Sequence, residues 1–176
     1  MELDHLAVAG ESLEAAVAYV EEALGVPLQP GGQHPMFGTH NYLLGLADGL
    51  YLEAIAIDPH AKPQRSPCWF DLDRFSGAPR VSNWICRCSE MADVLVSLPD
   101  EVGASVALTR GDLRWDMAVP EDGILPYDNM FPALIEWHSA HPAARLAQQG
   151  CTLERLVVAH PDGAALRELV PLRDVR

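Results

Sequence analysis

Long apolar runs, basic residues and closely spaced cysteines are scarce in this sequence. No run reaches the roughly 20 apolar residues that a membrane-spanning helix needs, and the opening residues, MELDH, lack the basic and apolar regions of a secretory signal peptide. We therefore expect a cytoplasmic protein that spans no membrane. Lysine and arginine number 12 against 25 acidic residues, and the formal net charge of -13 would repel a phosphate backbone. The charge thus argues against nucleic acid as a partner.

The cysteines and the short catalytic motifs narrow the class of protein further. Cys68, Cys86, Cys88 and Cys151 show no CxxC spacing, so free thiols in the core are expected rather than a zinc knuckle or a redox-active pair. The sequence also lacks a phosphate-binding glycine loop, a dinucleotide fingerprint and a nucleophile elbow. No nucleotide or organic cofactor is therefore predicted.

One short unit begins three times along the chain. Hydrophobic residues make up 49% of the sequence, which is enough for a globular core. Each copy consists of an apolar strand, a polar break and an amphipathic helix, and the copies cover residues 3–20, 82–98 and 153–170. Aligning the strand starts puts His5, Trp84 and Arg155 in register, which indicates duplicated modules.

Short strands follow the helix in the first two copies only. Turn signals at Asp48-Gly49 and Arg110-Gly111-Asp112 separate them. This order predicts an α+β fold in a single domain, 1–176. The domain would consist of a first βαβββ module at 1–58, a linker at 59–79, a second βαβββ module at 80–140 and a truncated third βα unit at 150–176. We expect the third unit to dock on the others as a cap, or to pair with another chain.

Four segments sharpen the pattern of duplicated modules. They are LDHLAVA near the start, GGQHPMFGTHNYLLGL in the middle, YLEAIAIDP at the end of the first module and LPYDNMFPALIEWHSAHP at the end of the second. With these segments the chain resembles, over nearly its whole length, the glyoxalase-like domain family of the vicinal oxygen chelate superfamily. The resemblance implies sheets that curl around a cleft for a small molecule.

The resemblance also implies metal ligands on the first and last strands of each module. The corresponding positions are His5, Glu53, Trp84 and Glu136. It suggests a divalent ion (Mg, Mn, Fe, Ni or Zn) held by His5, Glu53 and Glu136, because one imidazole and two carboxylates leave positions open for substrate oxygens. Glu136 and Glu53 are then the candidate catalytic residues, as groups that carry a proton.

Each of these residues also has an ordinary structural interpretation. His5 fits a hydrogen-bonded core histidine as well as a ligand. Glu53 and Glu136 lie among apolar strand residues, where an unpaired charge is costly unless that face of the strand meets water. Trp84 has no usable lone pair for a metal, so it either lines the pocket and stacks on a substrate or packs in the core.

The loop GGQHPMFGTHN carries the most specific part of the resemblance. Its glycines let the backbone approach a ligand closely, and we predict that His34 and Asn41 bind substrate together with Trp84. The alternative is a turn between helix and hairpin whose histidines are exposed.

These observations predict a glyoxalase-like protein that binds a small oxygenated organic molecule. The predicted chemistry is that of a metal-assisted lyase, isomerase or dioxygenase, and a homodimer is a further expectation. The alternative is a metal-free protein that binds or sequesters a small ligand in the same cleft, which Trp84 at a ligand position favours. The two hypotheses differ in whether His5, Glu53 and Glu136 converge on one point.

Overall fold

The first module contains four strands and one long helix. The computed structural model describes residues 1–172. In this module the elements are β1 (Glu2–Ala9), α1 (Leu13–Leu24), β2 (Gln29–His34), β3 (Thr39–Gly45) and β4 (Tyr51–Ile57). The Ser12 side chain accepts a hydrogen bond from the Ala15 N–H at the start of α1, and Gly25, with φ of 69°, ends the helix. The buried helix residues recur at helical spacing, so one face of α1 packs on the sheet.

The second module repeats this order with a shorter helix. Its elements are β5 (Arg80–Arg87), α2 (Met91–Val96), β6 (Ala104–Arg110), β7 (Leu113–Val119) and β8 (Ala133–Trp137). The eight strands form one sheet in the order β2-β3-β4-β1-β5-β8-β7-β6. In each module the first and last strands pair in parallel, and the other pairs are antiparallel. The predicted α+β fold with duplicated βαβββ order is confirmed.

The two modules meet through the antiparallel pair β1 and β5. His5 lies opposite Ile85 and Leu6 lies opposite Trp84. Since neighbouring strand residues point to opposite faces, His5 and Trp84 lie on different faces of the sheet. The edge strands β2 and β6 also contact each other, so the sheet curls and encloses a cavity on one face.

The segment between the modules packs into the fold rather than extending away from it. Trp69–Arg74 form 3-10 turns, and Trp69 and Phe70 are buried. The Trp69 ring stacks on Phe37 at 4.6 Å and on Phe70 at 5.0 Å between centroids. Aromatic pairs at these separations stabilise packing beyond their buried area. The segment therefore forms part of the cavity wall.

The predicted third βα unit forms its helix but not its strand. The helix α3 covers Gly163–Leu169 and buries Leu166, whereas residues 151–160 have no regular secondary structure. The chain just before this segment forms only an isolated β-bridge with the sheet, between Gln148 and Gly45 at the end of β3. Residues 173–176 of the predicted unit lie outside the described part of the chain. Among residues 1–172, none of the helices has the length and apolar character of a membrane span.

Candidate active site

The cavity inside the curled sheet is lined by polar groups on one side and aromatic groups on the other. The polar lining consists of His5, His34, Asn41, Tyr51, Glu53 and Arg110. The apolar lining includes Trp69, Phe70, Trp115, Met117, Ile135 and Trp137. All the polar residues except Arg110 come from the first module. The arrangement suits a small molecule that has a polar end and an apolar end.

The cavity is narrow. Its volume is about 20 Å³. That is room for about one water molecule. Entry of an organic ligand therefore requires lining side chains to move. The candidates are Arg110, which is only partly buried, and Trp69 and Phe70, which belong to the segment between the modules.

His5 is held in a buried chain of hydrogen bonds. It is 4% exposed, its Nδ1 lies 2.6 Å from Asp4 Oδ1, and its Nε2 lies 3.5 Å from Glu53 Oε2. Burial alone would lower the pKa of His5, but the hydrogen bonds and negative charges of Asp4 and Glu53 outweigh it and raise that pKa. The Tyr51 ring stacks on the imidazole at 4.2 Å. His5 is thus oriented on three sides.

Asp4 links this chain to the protein surface. The carboxylate is completely buried, and its Oδ2 accepts hydrogen bonds from Trp137 Nε1 at 3.2 Å and His141 Nε2 at 2.9 Å. Burial would raise the pKa of Asp4, yet the hydrogen bonds from His141 and His5 hold it below its usual value. His141 retains 21% side-chain exposure. A line of hydrogen-bonding groups therefore runs from solvent through Asp4 to His5.

Glu53 is a buried carboxylate between His5 and Asn41. Asn41 Nδ2 donates to Glu53 Oε1 at 2.5 Å. Burial would raise the pKa of Glu53, but the His5 hydrogen bond and charge, with the Asn41 hydrogen bond, lower it to about 2. Glu53 is thus held ionised beside an imidazolium. The ion pair satisfies two buried charges that would each be costly alone.

His34 and Asn41 both form hydrogen bonds with Arg110, which comes from the second module. Arg110 Nη1 lies 3.0 Å from His34 Nε2 and 3.1 Å from Asn41 Oδ1. Burial lowers the pKa of His34 to about 4, with Arg110 acting in the same direction against the attraction of Glu53. The neutral ring then accepts from Arg110 at Nε2 and donates from Nδ1 to Thr39 Oγ1 at 2.9 Å, a tautomer inferred from these partners.

Four residues singled out in the sequence therefore surround one cavity, and two do not. His5, Glu53, His34 and Asn41 line it. Glu136 lies on the other face of β8, where its two carboxylate oxygens accept hydrogen bonds from the N–H groups of Glu90 and Met91 at the start of α2. The residues of β8 that face the cavity are Ile135 and Trp137, and Ile135 is the third of its strand as Glu53 is the third of β4.

Trp84 also lies away from the cavity lining. It faces the side of the sheet opposite to His5, is buried in the hydrophobic core and donates from Nε1 to the Met130 carbonyl at 2.9 Å. The expected convergence of His5, Glu53 and Glu136 is not present. Spacing aligned the modules to within one residue, and in a strand one residue reverses the face.

Two residues at the site were missed in the sequence. Asp4 has a signal that was available, because an acid next to a histidine in an apolar strand requires a buried partner. Arg110 has no such signal, because in the sequence it belongs to a predicted turn. It reaches the cavity only because the edge strands β2 and β6 contact each other.

The cavity residues do not fit a metal held by three protein ligands. Of the described cavity residues, only His5 and Glu53 have potential ligand atoms directed at each other. The lone pair of His34 Nε2 accepts a hydrogen bond from Arg110, and the positive charge of Arg110 would repel a metal ion. Ile135 in the second module offers no donor atom.

A second group of residues, on the other face of the sheet, comes closer to a metal-ligand set. Among residues 1–172, Asp116, Glu136 and His138 are the one group of three whose ligand atoms lie within 4.8 Å of one another. The group is partly exposed, and Glu136 already accepts two backbone hydrogen bonds. The protein thus has one potential metal-binding triad in its described part, separate from the cavity.

A curled mixed sheet of two βαβββ modules around a polar cavity defines a vicinal oxygen chelate fold. The family model of the glyoxalase-like domain matches residues 3–171, and the chain belongs to that family. No curated protein gives a significant match.

Solved structures share the fold at low identity. A hypothetical protein from Staphylococcus aureus is 15% identical with a TM-score of 0.59, and the match covers 84% of this chain and 65% of that one. A Streptomyces coelicolor methylmalonyl-CoA epimerase variant in complex with 2-nitronate-propionyl-CoA is 16% identical with a TM-score of 0.50, covering 80% of this chain and 97% of that one. The chain therefore spans about two thirds of the first of these structures.

Proposed function

We propose that this protein is an enzyme that moves a proton on a small oxygenated organic molecule, as an isomerase or a lyase. The observation that carries the proposal is the buried pair His5 and Glu53, 3.5 Å apart on the wall of a cavity. Perturbed acid–base groups that face a cavity are a recognised mark of catalytic sites. Asp4 keeps the Nε2 side of His5 turned towards Glu53.

The pair shares the Nε2 proton of His5, so His5 can act as the acid and Glu53 as the base. In the proposed reaction Glu53 accepts a proton from a carbon next to the carbonyl group of the substrate, and His5 donates its Nε2 proton to the carbonyl oxygen. The product of this step is an enol, which is an enediol where the deprotonated carbon carries a hydroxyl group. Glu53 then returns its proton to the former carbonyl carbon while that hydroxyl group gives its proton to His5, which completes an isomerisation without a net change in oxidation state. The low pKa of Glu53 depends on the His5 charge, so Glu53 becomes more basic as His5 gives up its proton.

The remaining polar residues position this chemistry. Asn41 fixes one oxygen of Glu53, which leaves Oε2 directed at His5. The apolar wall of Trp115, Ile135 and Trp137 keeps water from the reacting groups, which strengthens the electrostatic effect of each charge. Since the cavity residues do not fit a three-ligand metal site, the proposed chemistry uses side chains alone.

Solvent deuterium exchange tests the proposal directly. Wild-type protein in deuterium oxide is incubated with small 2-oxo and 2-hydroxy acids, ketones and aldehydes, and proton NMR follows loss of the signal from the carbon next to the carbonyl. We expect exchange of at least one compound, and we expect Glu53→Gln and His5→Gln each to slow it by about 10²- to 10⁴-fold.

The controls are a glutamate and a histidine on the surface, changed in the same way. Glu22 and His60 are exposed, and Glu22→Gln and His60→Gln should exchange the same compound at the wild-type rate. Binding of the compound without exchange by wild-type protein would contradict the proposal and support a ligand-binding protein instead.

A further inference from the structure

Arg110 is the cation that the second module contributes to the cavity lining. The residue is the last of β6, at the edge of the sheet, and its side chain crosses to β2 and β3 of the first module. It passes close over Gly32, where a Cβ atom would lie 2.7 Å from Arg110 Cδ. A side chain at position 32 would therefore displace the guanidinium from the cavity.

The guanidinium has neutral partners only. Its Nη1 group contacts His34 Nε2 and Asn41 Oδ1, and Arg110 takes part in none of the ion pairs found among residues 1–172. Arg145, by contrast, makes a two-pronged pair with Asp112 at 2.6 and 2.7 Å on the surface. A partly buried guanidinium without an anionic partner is the state that a bound carboxylate would stabilise.

A buried donor without a partner belongs to another residue of the cavity lining. Trp69 Nε1 is buried and has no hydrogen-bond partner among the described residues. A buried N–H without an acceptor is costly, and an oxygen atom of a ligand would satisfy it. Two donors of the cavity are thus available to a ligand that brings acceptor oxygens.

The position of Asn41 sets the length of that ligand. Its Oδ1 accepts from Arg110, and its Nδ2 donates to Glu53, so one amide group separates the guanidinium from the acid–base pair. An anion seated on Arg110 would therefore place an atom one or two bonds away beside Glu53 and His5.

From this geometry we propose that the cavity takes a short-chain carboxylate that carries an oxygen on the neighbouring carbon, with Arg110 binding the carboxylate. This inference rests on the proposed function for the reacting end of the molecule, whereas the anion site depends on Arg110 alone. Short 2-oxo and 2-hydroxy acids have the required chemistry. The aromatic wall receives their apolar end.

Binding of paired charged and neutral probes tests the anion site. Pyruvate and lactate are compared with hydroxyacetone and propane-1,2-diol by calorimetry and by tryptophan fluorescence, since three tryptophans line the cavity. Wild-type protein should bind at least one carboxylate about 10- to 100-fold more tightly than its neutral counterpart. Arg110→Gln should abolish that preference, Arg110→Lys should retain part of it, and the surface control Arg145→Gln should leave it unchanged.

The outcomes separate this inference from the proposed function. Glu53→Gln should still bind the carboxylate while losing proton exchange, because it keeps Arg110. Carboxylate binding and exchange that Arg110→Gln leaves at wild-type levels would overturn the anion site and leave the proposed function standing. Failure of every carboxylate to bind wild-type protein, or equal binding of charged and neutral probes, would also overturn it.

Discussion

The two modules share a fold and differ in what they present to the cavity. The third residue of β4 is Glu53, and the third residue of β8 is Ile135. Likewise the third residue of β3 is Asn41, and the third residue of β7 is Trp115. The first module thus contributes the reactive polar groups, and the second contributes an apolar wall and one cation. Duplication supplies two equivalent surfaces, and each has its own part in the site.

The largest effect should come from removing the charge of Asp4, which lies at the centre of the buried hydrogen bonds that hold His5. We expect Asp4→Asn to lower the free energy of unfolding by about 3 kcal/mol, because it leaves buried donors without their charged partner. The pKa of His5 should fall as well, and the rate of deuterium exchange should drop mainly through kcat. Chemical denaturation and exchange kinetics measure the two effects.

Asp112→Asn is the matched control on the second module. Asp112 pairs with Arg145 on the surface, so its loss should change stability little and exchange not at all. If Asp4→Asn kept wild-type kcat and a wild-type pH profile, Asp4 would have no role in orienting His5.

A smaller effect should follow from the titration of His34, which joins the modules. The unfolded chain binds a proton at this histidine below about pH 6.5, whereas the folded protein, with the pKa lowered to about 4, does not. Stability should therefore fall as pH drops from 6.5 to 4.5, by on the order of 2 kcal/mol. His5, whose pKa is raised, has its full stabilising contribution below about pH 6.5, and the contribution of Glu53, whose pKa is lowered, is lost only below about pH 4.5.

Urea denaturation at pH 4.5 and pH 6.5 measures this difference. His34→Gln should flatten the pH dependence, since the variant carries no titrating group there, and the exposed His60→Gln should not. An unchanged slope in His34→Gln would show that His34 is protonated in the folded protein at pH 4.5.

The smallest effect should come from Glu136 on the second module. We expect Glu136→Ala to cost about 1 kcal/mol of stability, because two N–H groups at the start of α2 lose their acceptor. Ligand binding and proton exchange should remain as in wild-type protein. Thermal denaturation and the exchange assay measure the two properties.

Elemental analysis of the same variant distinguishes the two groups of potential metal ligands. A divalent ion lost in Glu136→Ala and His138→Ala, but kept in His5→Ala, would belong to the surface triad. An ion lost in both Glu136→Ala and His5→Ala would contradict the placement of Glu136 away from the cavity.

Much of the fold was predictable because it depends on local patterns. Ser12 and Gly25 bound the first helix through capping and a left-handed turn, and apolar periodicity marks the strands around them. The strand expected at the start of the third copy, 153–170, does not form, although its apolar pattern resembles that of the other copies. Its residues Leu153, Leu156 and Val158 pack on the hydrophobic core as partly buried side chains outside any strand.

The site was predictable in the first module and not in the second. His5 and Glu53 are polar residues in apolar strands, which is a visible conflict that a buried site resolves. The resemblance implied Glu136 and Trp84 in the second module, and each lies on the face of its strand that points away from the cavity. Loop lengths and bulges differ between the modules, and a count along the chain does not register them.

By itself, the sequence determined the duplicated modules and the polar strand residues of the first module, because these depend on composition and periodicity. The family followed from the resemblance of four segments. Only the tertiary structure decided which face each strand turns to the cavity. It also decided that Asp4 supports His5 and that Arg110 reaches across from the second module. Those relations arise from strand register and from the closing of β2 on β6, which bring together residues far apart in the chain.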